Sequence, residues 1–133
     1  LGHGGFLRQH SHDSELASSV IYDYRTSNLD EITIAMCDYA VKLTRHPEDV
    51  VQADMEKLRT LGLSDEQIIS VVLITCQFNF SNRVTQGLGV DPRPGRSTIL
   101  RRWLTGPAAE LDWLKYEEDE STASTKQDSG DRT

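Results

Sequence analysis

Cysteine is scarce in this chain. Of 133 residues only Cys37 and Cys76 are cysteine, 39 positions apart, with no Cys-x-x-Cys pair and no Cys/His run at zinc-ligand spacing. A disulfide framework and a structural zinc site are thereby excluded. Long apolar runs are also missing. The longest mostly apolar stretch, Ile68 to Cys76, is interrupted by Ser70 and Thr75 and is far shorter than the ~20 residues a membrane-spanning helix needs, so no membrane partner is expected. Positive charge is in deficit, with 14 Lys and Arg against 21 Asp and Glu and a net charge of −7. From Glu117 onward six acids face two bases, so that stretch carries −4 and residues 1–116 only −3. A nearly balanced body has no general attraction to phosphate, which argues against nucleic acid as a partner. Asn-Gly and Asp-Gly hairpin turns are absent, and so are runs of alternating β-branched residues.

Helical punctuation is what the chain does contain, and it predicts an all-α fold. Leu29, Ile32, Ala35, Met36, Tyr39, Ala40 and Leu43 recur at three-and-four spacing, with Asn28 or Ser27 as N-cap candidates and Asp30 and Glu31 well placed against the helix dipole. His46-Pro47 ends this helix, because the residue before proline is pushed out of the α region, and Pro47, Glu48 and Asp49 suit the opening turn of the next element. Leu58 to Gln67 closes one helix and opens another. Gly62 suits the left-handed position after the helix end, Leu63 folds back, and Ser64 with Gln67 makes a capping box. The helix that follows runs through Ile68, Ile69, Val72, Leu73, Cys76, Phe80 and Val84 toward Gly87 and Gly89. It is apolar on most sides and is expected to be the central, most buried helix.

At the ends the signals are thinner. Gly5 to His10 reads as the end of a helix, and Ser14 as the cap of a short one through Ile21. Two prolines and a glycine make Asp91 to Arg96 a loop. Ser97 is expected to cap a helix through Leu104, and Pro107 to open another that ends near Glu117. The domain is placed at residues 1–116 and an acidic polar tail at 117–133, with 119–133 expected to be disordered because nothing there offsets the entropy of ordering.

Three stretches carry a resemblance to a known family. They are Leu1-Gly2-His3-Gly4-Gly5-Phe6-Leu7-Arg8, then Asp38 to Pro47 leading to Leu58 to Asp65, then Phe78-Asn79-Phe80-Ser81-Asn82-Arg83 followed by Gly87-Leu88-Gly89-Val90. Over about residues 1–92 the chain resembles the alkylhydroperoxidase D and carboxymuconolactone decarboxylase superfamily, in particular its peroxidase-related branch. The resemblance implies an all-helical, oligomer-forming bundle whose active members carry Cys-x-x-Cys-x-x-x-His with an upstream glutamate for proton transfer. In that chemistry a thiolate attacks the peroxide bond, becomes sulfenic acid and condenses with its neighbour to a disulfide that an outside thiol reduces. The histidine one turn further on passes protons. His3 matches the last residue of the motif, so the cysteine pair is expected upstream of Leu1, and the chain is read as the C-terminal part of a longer cytoplasmic enzyme, inactive as given; the competing explanation is a natural protein that has lost its redox centre. The implied partners are an organic hydroperoxide, a thiol reductant and further copies of the same chain. Neither a cofactor nor a metal is implied.

The remaining chemistry-bearing residues have structural readings. Cys37 and Cys76 lack the motif spacing and are expected to be buried structural thiols. His10 and His12, with His3, fit no standard ligand spacing. Trp103 and Trp113 suit packing or an interface. Asn79, Asn82 and Arg83 on an apolar helix need partners, and two readings stay open: a satisfied cluster with Arg83 paired to a carboxylate such as Asp38, or the border of a pocket or subunit contact. Arg93, Arg96, Arg101 and Arg102 are expected to pair with the Glu117–Glu120 run. Two rival functions remain. One is a decarboxylating lyase of the same superfamily. The other is a non-catalytic helical oligomerisation module built on the Ser64–Val84 helix.

Overall fold

The computed structural model describes residues 2–11, 13, 15–90, 98–99 and 102–114. Among them the regular structure is helical throughout: α1 (Gly2–His10), α2 (Leu16–Asp23), α3 (Glu31–Arg45), α4 (Gln52–Thr60) and α5 (Asp65–Gly87), with 3-10 turns at Pro47–Asp49, Gly106–Glu110 and Asp112–Leu114. They form two compact units. One takes its residues from Leu1–Ser27 and Pro92–Thr133, the other from Asn28–Asp91.

In the first unit α1 packs on α2. The turn between them is built on Asp13, whose carboxylate accepts from the Glu15 N–H at 2.9 Å and whose carbonyl accepts from the Leu16 N–H at 3.4 Å. Ser14, the expected cap, lies outside the described residues. The core is Leu104, Ala108 and Leu114, with Ile21, Trp103, Ala109 and Leu111 packed around it. Buried Ser18 of α2 accepts from the Thr105 N–H at 3.1 Å, which ties the late segment to the helix. Of the helix expected from Ser97 to Leu104, residues 98–99 are helical and 97, 100 and 101 lie outside the described residues, but its end is not helical, and the helix expected from Pro107 to near Glu117 is replaced by 3-10 turns. Residues 102–103 are a turn, Thr105 is extended, and Pro107 opens a 3-10 turn that ends at Glu110. Gly106 at φ +55° redirects the chain, proline removes a donor, and the Thr105 N–H is committed to Ser18, so α-helical pairing cannot pass through this point.

In the second unit each helix end is made by local hydrogen bonds. α3 starts at Asp30, whose carboxylate accepts from the Thr33 N–H at 2.7 Å; this replaces the expected Asn28 or Ser27. The Thr33 hydroxyl first, and then this N–H, hold the Asp30 carboxyl below its ordinary pKa. His46 caps the other end, as the following proline requires. Pro47, Glu48 and Asp49 make a 3-10 turn of their own instead of opening α4, which begins at Gln52. The α4 N-cap, Val51, has no side-chain acceptor, so Asp54 reaches back to the Val51 N–H at 2.8 Å and also receives the Lys42 ammonium of α3 at 2.7 and 2.8 Å. The Asp54 carboxyl is held below its ordinary pKa first by the Lys42 hydrogen bond and then by that N–H.

The α4–α5 corner follows the prediction in detail. The Leu63 N–H reaches Leu58 O at 3.2 Å and the Gly62 N–H reaches Arg59 O at 2.9 Å, a Schellman pair closed by Gly62 at φ +101°. Ser64 and Gln67 then exchange the two bonds of the capping box, at 3.3 and 2.8 Å. Leu58 and Leu63, which clasp across this turn, join Ala35, Tyr39 and Ile68 as the buried core.

One expectation fails plainly. α5 is not the most buried helix: Ile68 alone is buried, while Ile69, Leu73, Ile74, Phe78, Phe80 and Val84 are exposed. With only α3 and α4 beside it in this unit, a helix apolar on most sides can hide one stripe, through Ile68, Val71 and Val72, and must leave the rest uncovered.

Candidate functional site

His3 stands in the first turn of α1 and is solvent-exposed. Its helix lies close against its neighbours because position 4 is glycine. A Cβ there would fall 3.0 Å from Ile21 Cδ1 and 3.1 Å from Trp103 Cη2, so the α1 backbone approaches α2 and the Trp103 ring more nearly than a side chain allows. Packing one face of α1 in this way turns another outward. On it His3, Phe6 and His10 follow at three-and-four spacing, with ring centroids 6.4 Å apart for His3 and Phe6 and 6.2 Å apart for Phe6 and His10. His10 Nδ1 lies 2.9 Å from the Phe6 carbonyl, which fixes the lower end of this ladder. An exposed imidazole can exchange protons with solvent and with a group brought against it.

The other candidates separate from His3. Cys37 is half-buried in α3 and lines a shallow apolar groove of about 220 Å³ with Met36, Ala40, Val71 and Ile74. Burial, and after it the neighbouring Asp38, pushes its thiol pKa up, the reverse of what a nucleophilic thiolate needs. Cys76 is exposed, which corrects the expectation of a buried thiol, although it lies near enough to Tyr39 of α3 to help raise that phenol's pKa, after burial and Asp54. Arg83 does not pair with Asp38. It donates to the Asn79 carbonyl of its own helix at 3.4 Å, while the Asn79 amide donates to Thr44 Oγ1 of α3 at 3.2 Å. These groups are satisfied locally because the helix face that carries Arg83 meets water.

Trp103 packs on the core of the first unit, as expected. His12, the tail from Glu117 and Arg93, Arg96 and Arg101 lie outside the described residues, so the predicted arginine–glutamate pairing falls there too. A cavity of about 290 Å³ in the first unit is lined by Glu15, Ser19, Tyr22, Thr26 and Gly106 and does not include His3. Sequence reasoning missed one cluster. His46, Glu48 and Asp49 bring three ligand-type atoms within 4.8 Å of one another on the exposed 3-10 turn. The signal was the His-Pro-Glu-Asp run, since proline forces the turn that gathers the three side chains.

Comparison with known proteins places the fold. Neither a protein-family model nor a curated protein matches the chain. Solved structures do. A peroxidase-related protein from Silicibacter sp. TM1040 aligns at 35% identity and a TM-score of 0.63, over 69% of this chain and 48% of that one. A peroxidase-related protein with an alkylhydroperoxidase AhpD core, from Ralstonia eutropha JMP134, aligns at 32% identity and a TM-score of 0.61, over 68% of this chain and 48% of that one. The all-α architecture is thus that of the peroxidase-related helical proteins. The chain belongs to the alkylhydroperoxidase D-like superfamily. It spans about half the length of the structures it matches.

Proposed function

We propose that this chain is the C-terminal part of a thiol peroxidase that reduces organic hydroperoxides, with His3 as its proton carrier and a Cys-x-x-Cys-x-x-x-His run that ends at His3. The observation that carries this reading is the position of His3 on an exposed helical face, in a chain whose solved neighbours are peroxidase-related at 32% and 35% identity. In the proposed reaction one upstream thiolate attacks the terminal peroxide oxygen and the O–O bond breaks. The organic oxygen leaves as alkoxide and takes a proton from the His3 imidazolium, giving the alcohol. The sulfenic acid then condenses with the second thiol, releasing water and forming the disulfide. Two electrons from an external thiol reductant restore the dithiol, which suits a reducing compartment such as the cytoplasm. Among the described residues no helix is long and apolar enough to cross a membrane.

The test is expression of the open reading frame including the codons upstream of Leu1, with cumene hydroperoxide consumption measured against a dithiol. His3→Gln is expected to lower the rate about 10²-fold or more, the usual contribution of a positioned acid or base. Each upstream Cys→Ser change is expected to abolish turnover. Full activity in His3→Gln, or upstream codons without a cysteine pair, overturns the proposal.

A further inference from the structure

The first unit holds a cavity that the peroxidase reading does not use. It opens between α2 and the 3-10 turn Gly106–Glu110, and its volume of about 290 Å³ is near the lower limit of small-molecule pockets. Glu15 at the N-cap of α2 and Ser19 and Tyr22 within it supply one wall; their spacings of four and three put them on one face of the helix. Pro107 and buried Ala108 supply the apolar wall opposite, and buried Ser18, bonded to the Thr105 N–H, joins the two. The polar groups of this lining share one character. The Ser19 hydroxyl donates to the Leu16 carbonyl at 2.9 Å, the Thr105 hydroxyl donates to Glu15 Oε2, and at the far rim the Thr26 hydroxyl donates to the Asp23 carbonyl at 3.1 Å. With their protons spent, these hydroxyls offer a guest only lone pairs. Oε1 of Glu15 accepts from no described residue, and none of the described lining residues is basic, so the carboxylate meets no cation inside the cavity.

We propose that this cavity binds a small primary amine as its alkylammonium ion, with the ammonium held by Glu15 Oε1 and Ser19 Oγ and the alkyl chain laid against Pro107, Ala108 and the Tyr22 ring. An ammonium brings three N–H donors and no acceptor, which complements a lining of lone pairs and one carboxylate. A carboxylate guest meets only acceptors and a like charge. A neutral alcohol brings a single donor and no charge, so it is held more weakly than the ammonium. Glu15 and Tyr22 are both exposed, so water screens the ion pair and the dissociation constant is on the order of millimolar. The cavity does not include His3, and the proposal is independent of the peroxidase reading.

Titration of the full 133-residue chain with n-butylamine at about pH 7 and about 0.15 M salt, followed through its backbone amide NMR signals, tests it; the salt screens attraction to the net negative charge of the chain as a whole. Saturable shifts are expected at Ser19, Tyr22, Thr105 and Gly106, with n-butanol bound roughly tenfold more weakly and butyrate giving no saturable shift. Glu15→Gln is expected to weaken n-butylammonium binding about tenfold, and Ser19→Ala and Tyr22→Ala about threefold each. The last two keep the test decisive if Glu15→Gln disturbs the turn it holds through Thr105. The same titration on the reading frame that includes the codons upstream of Leu1 is expected to shift the same signals. The absence of a saturable shift, n-butanol bound as tightly as n-butylammonium, undiminished affinity in Ser19→Ala and Tyr22→Ala, or loss of binding in the longer protein because its added residues fill the cavity overturns the proposal.

Discussion

Cutting Leu58 and Leu88 back to alanine removes the same three carbons from two sites that differ in burial. Leu58 is 1% exposed and packed among Ala35, Tyr39, Leu63 and Ile68, whereas Leu88 is 74% exposed at the end of α5. For Leu58→Ala the lost transfer energy and the residual cavity together cost about 3 kcal/mol, within the 2–5 kcal/mol range for buried leucines. For Leu88→Ala the cost stays within about 0.5 kcal/mol, because little apolar surface returns to water. Against a total stability of about 5–15 kcal/mol the first change is large and the second lost in the noise. Urea unfolding at fixed protein concentration, followed by far-UV circular dichroism, measures both. With a slope of about 1.5 kcal/mol per molar, Leu58→Ala is expected to lower the midpoint by about 2 M and Leu88→Ala by less than about 0.4 M. Similar shifts for the two variants would refute the placement of the core on the α3, α4 and Leu63 side and the exposure of the end of α5.

Gly62→Ala is expected to destabilise by about 1 kcal/mol although nothing lies within 4 Å of the added carbon, since the cost is the φ of +101°; Gly5→Ala, equally uncrowded but inside α1, is expected to stabilise by about 0.5 kcal/mol, and thermal melts compare the pair. Ser64→Ala removes the acceptor for the Gln67 N–H and is expected to cost about 1 kcal/mol in the same melts, with Ser64→Asp retaining most of the stability. The Asp54 carboxyl is held below its ordinary pKa chiefly by Lys42, so its contribution is complete above the usual carboxylate range and is lost as pH falls through the depressed value. Urea midpoints taken from about pH 6 down to about pH 2 are therefore expected to converge between the native chain and Asp54→Asn, and a constant gap would contradict the Lys42–Asp54 pairing.

Legibility in the sequence tracked the range of the interaction. His46-Pro47, Gly62 and the Ser64–Gln67 pair were readable because each acts through backbone groups within five residues, and each makes the bonds expected of it. Asp30 was recognised as a favourable charge but not as the cap, because Ser27, Asn28 and Asp30 all offer an acceptor and the backbone that chooses among them is set by where α3 packs. The helix expected from Pro107 did not form: Gly106 turns the chain, and the Thr105 N–H just before it is taken by Ser18, 87 positions earlier, a competitor no local pattern reveals. The family came from short stretches whose order is kept along the chain, and the same stretches carry the proposed role of His3.

By itself, then, the amino-acid order determined that the chain is helical, where α3 ends and α5 begins, and to which superfamily the chain belongs, since these rest on local hydrogen bonding and on residue identity. Only the tertiary structure decided which side of α5 is buried, that Cys76 meets water while Cys37 is half-hidden, and that Asp54 joins α3 to α4. A helix apolar on most sides carries no direction of its own. The neighbours available to cover it choose the stripe that leaves water, and those neighbours are brought together by the fold alone.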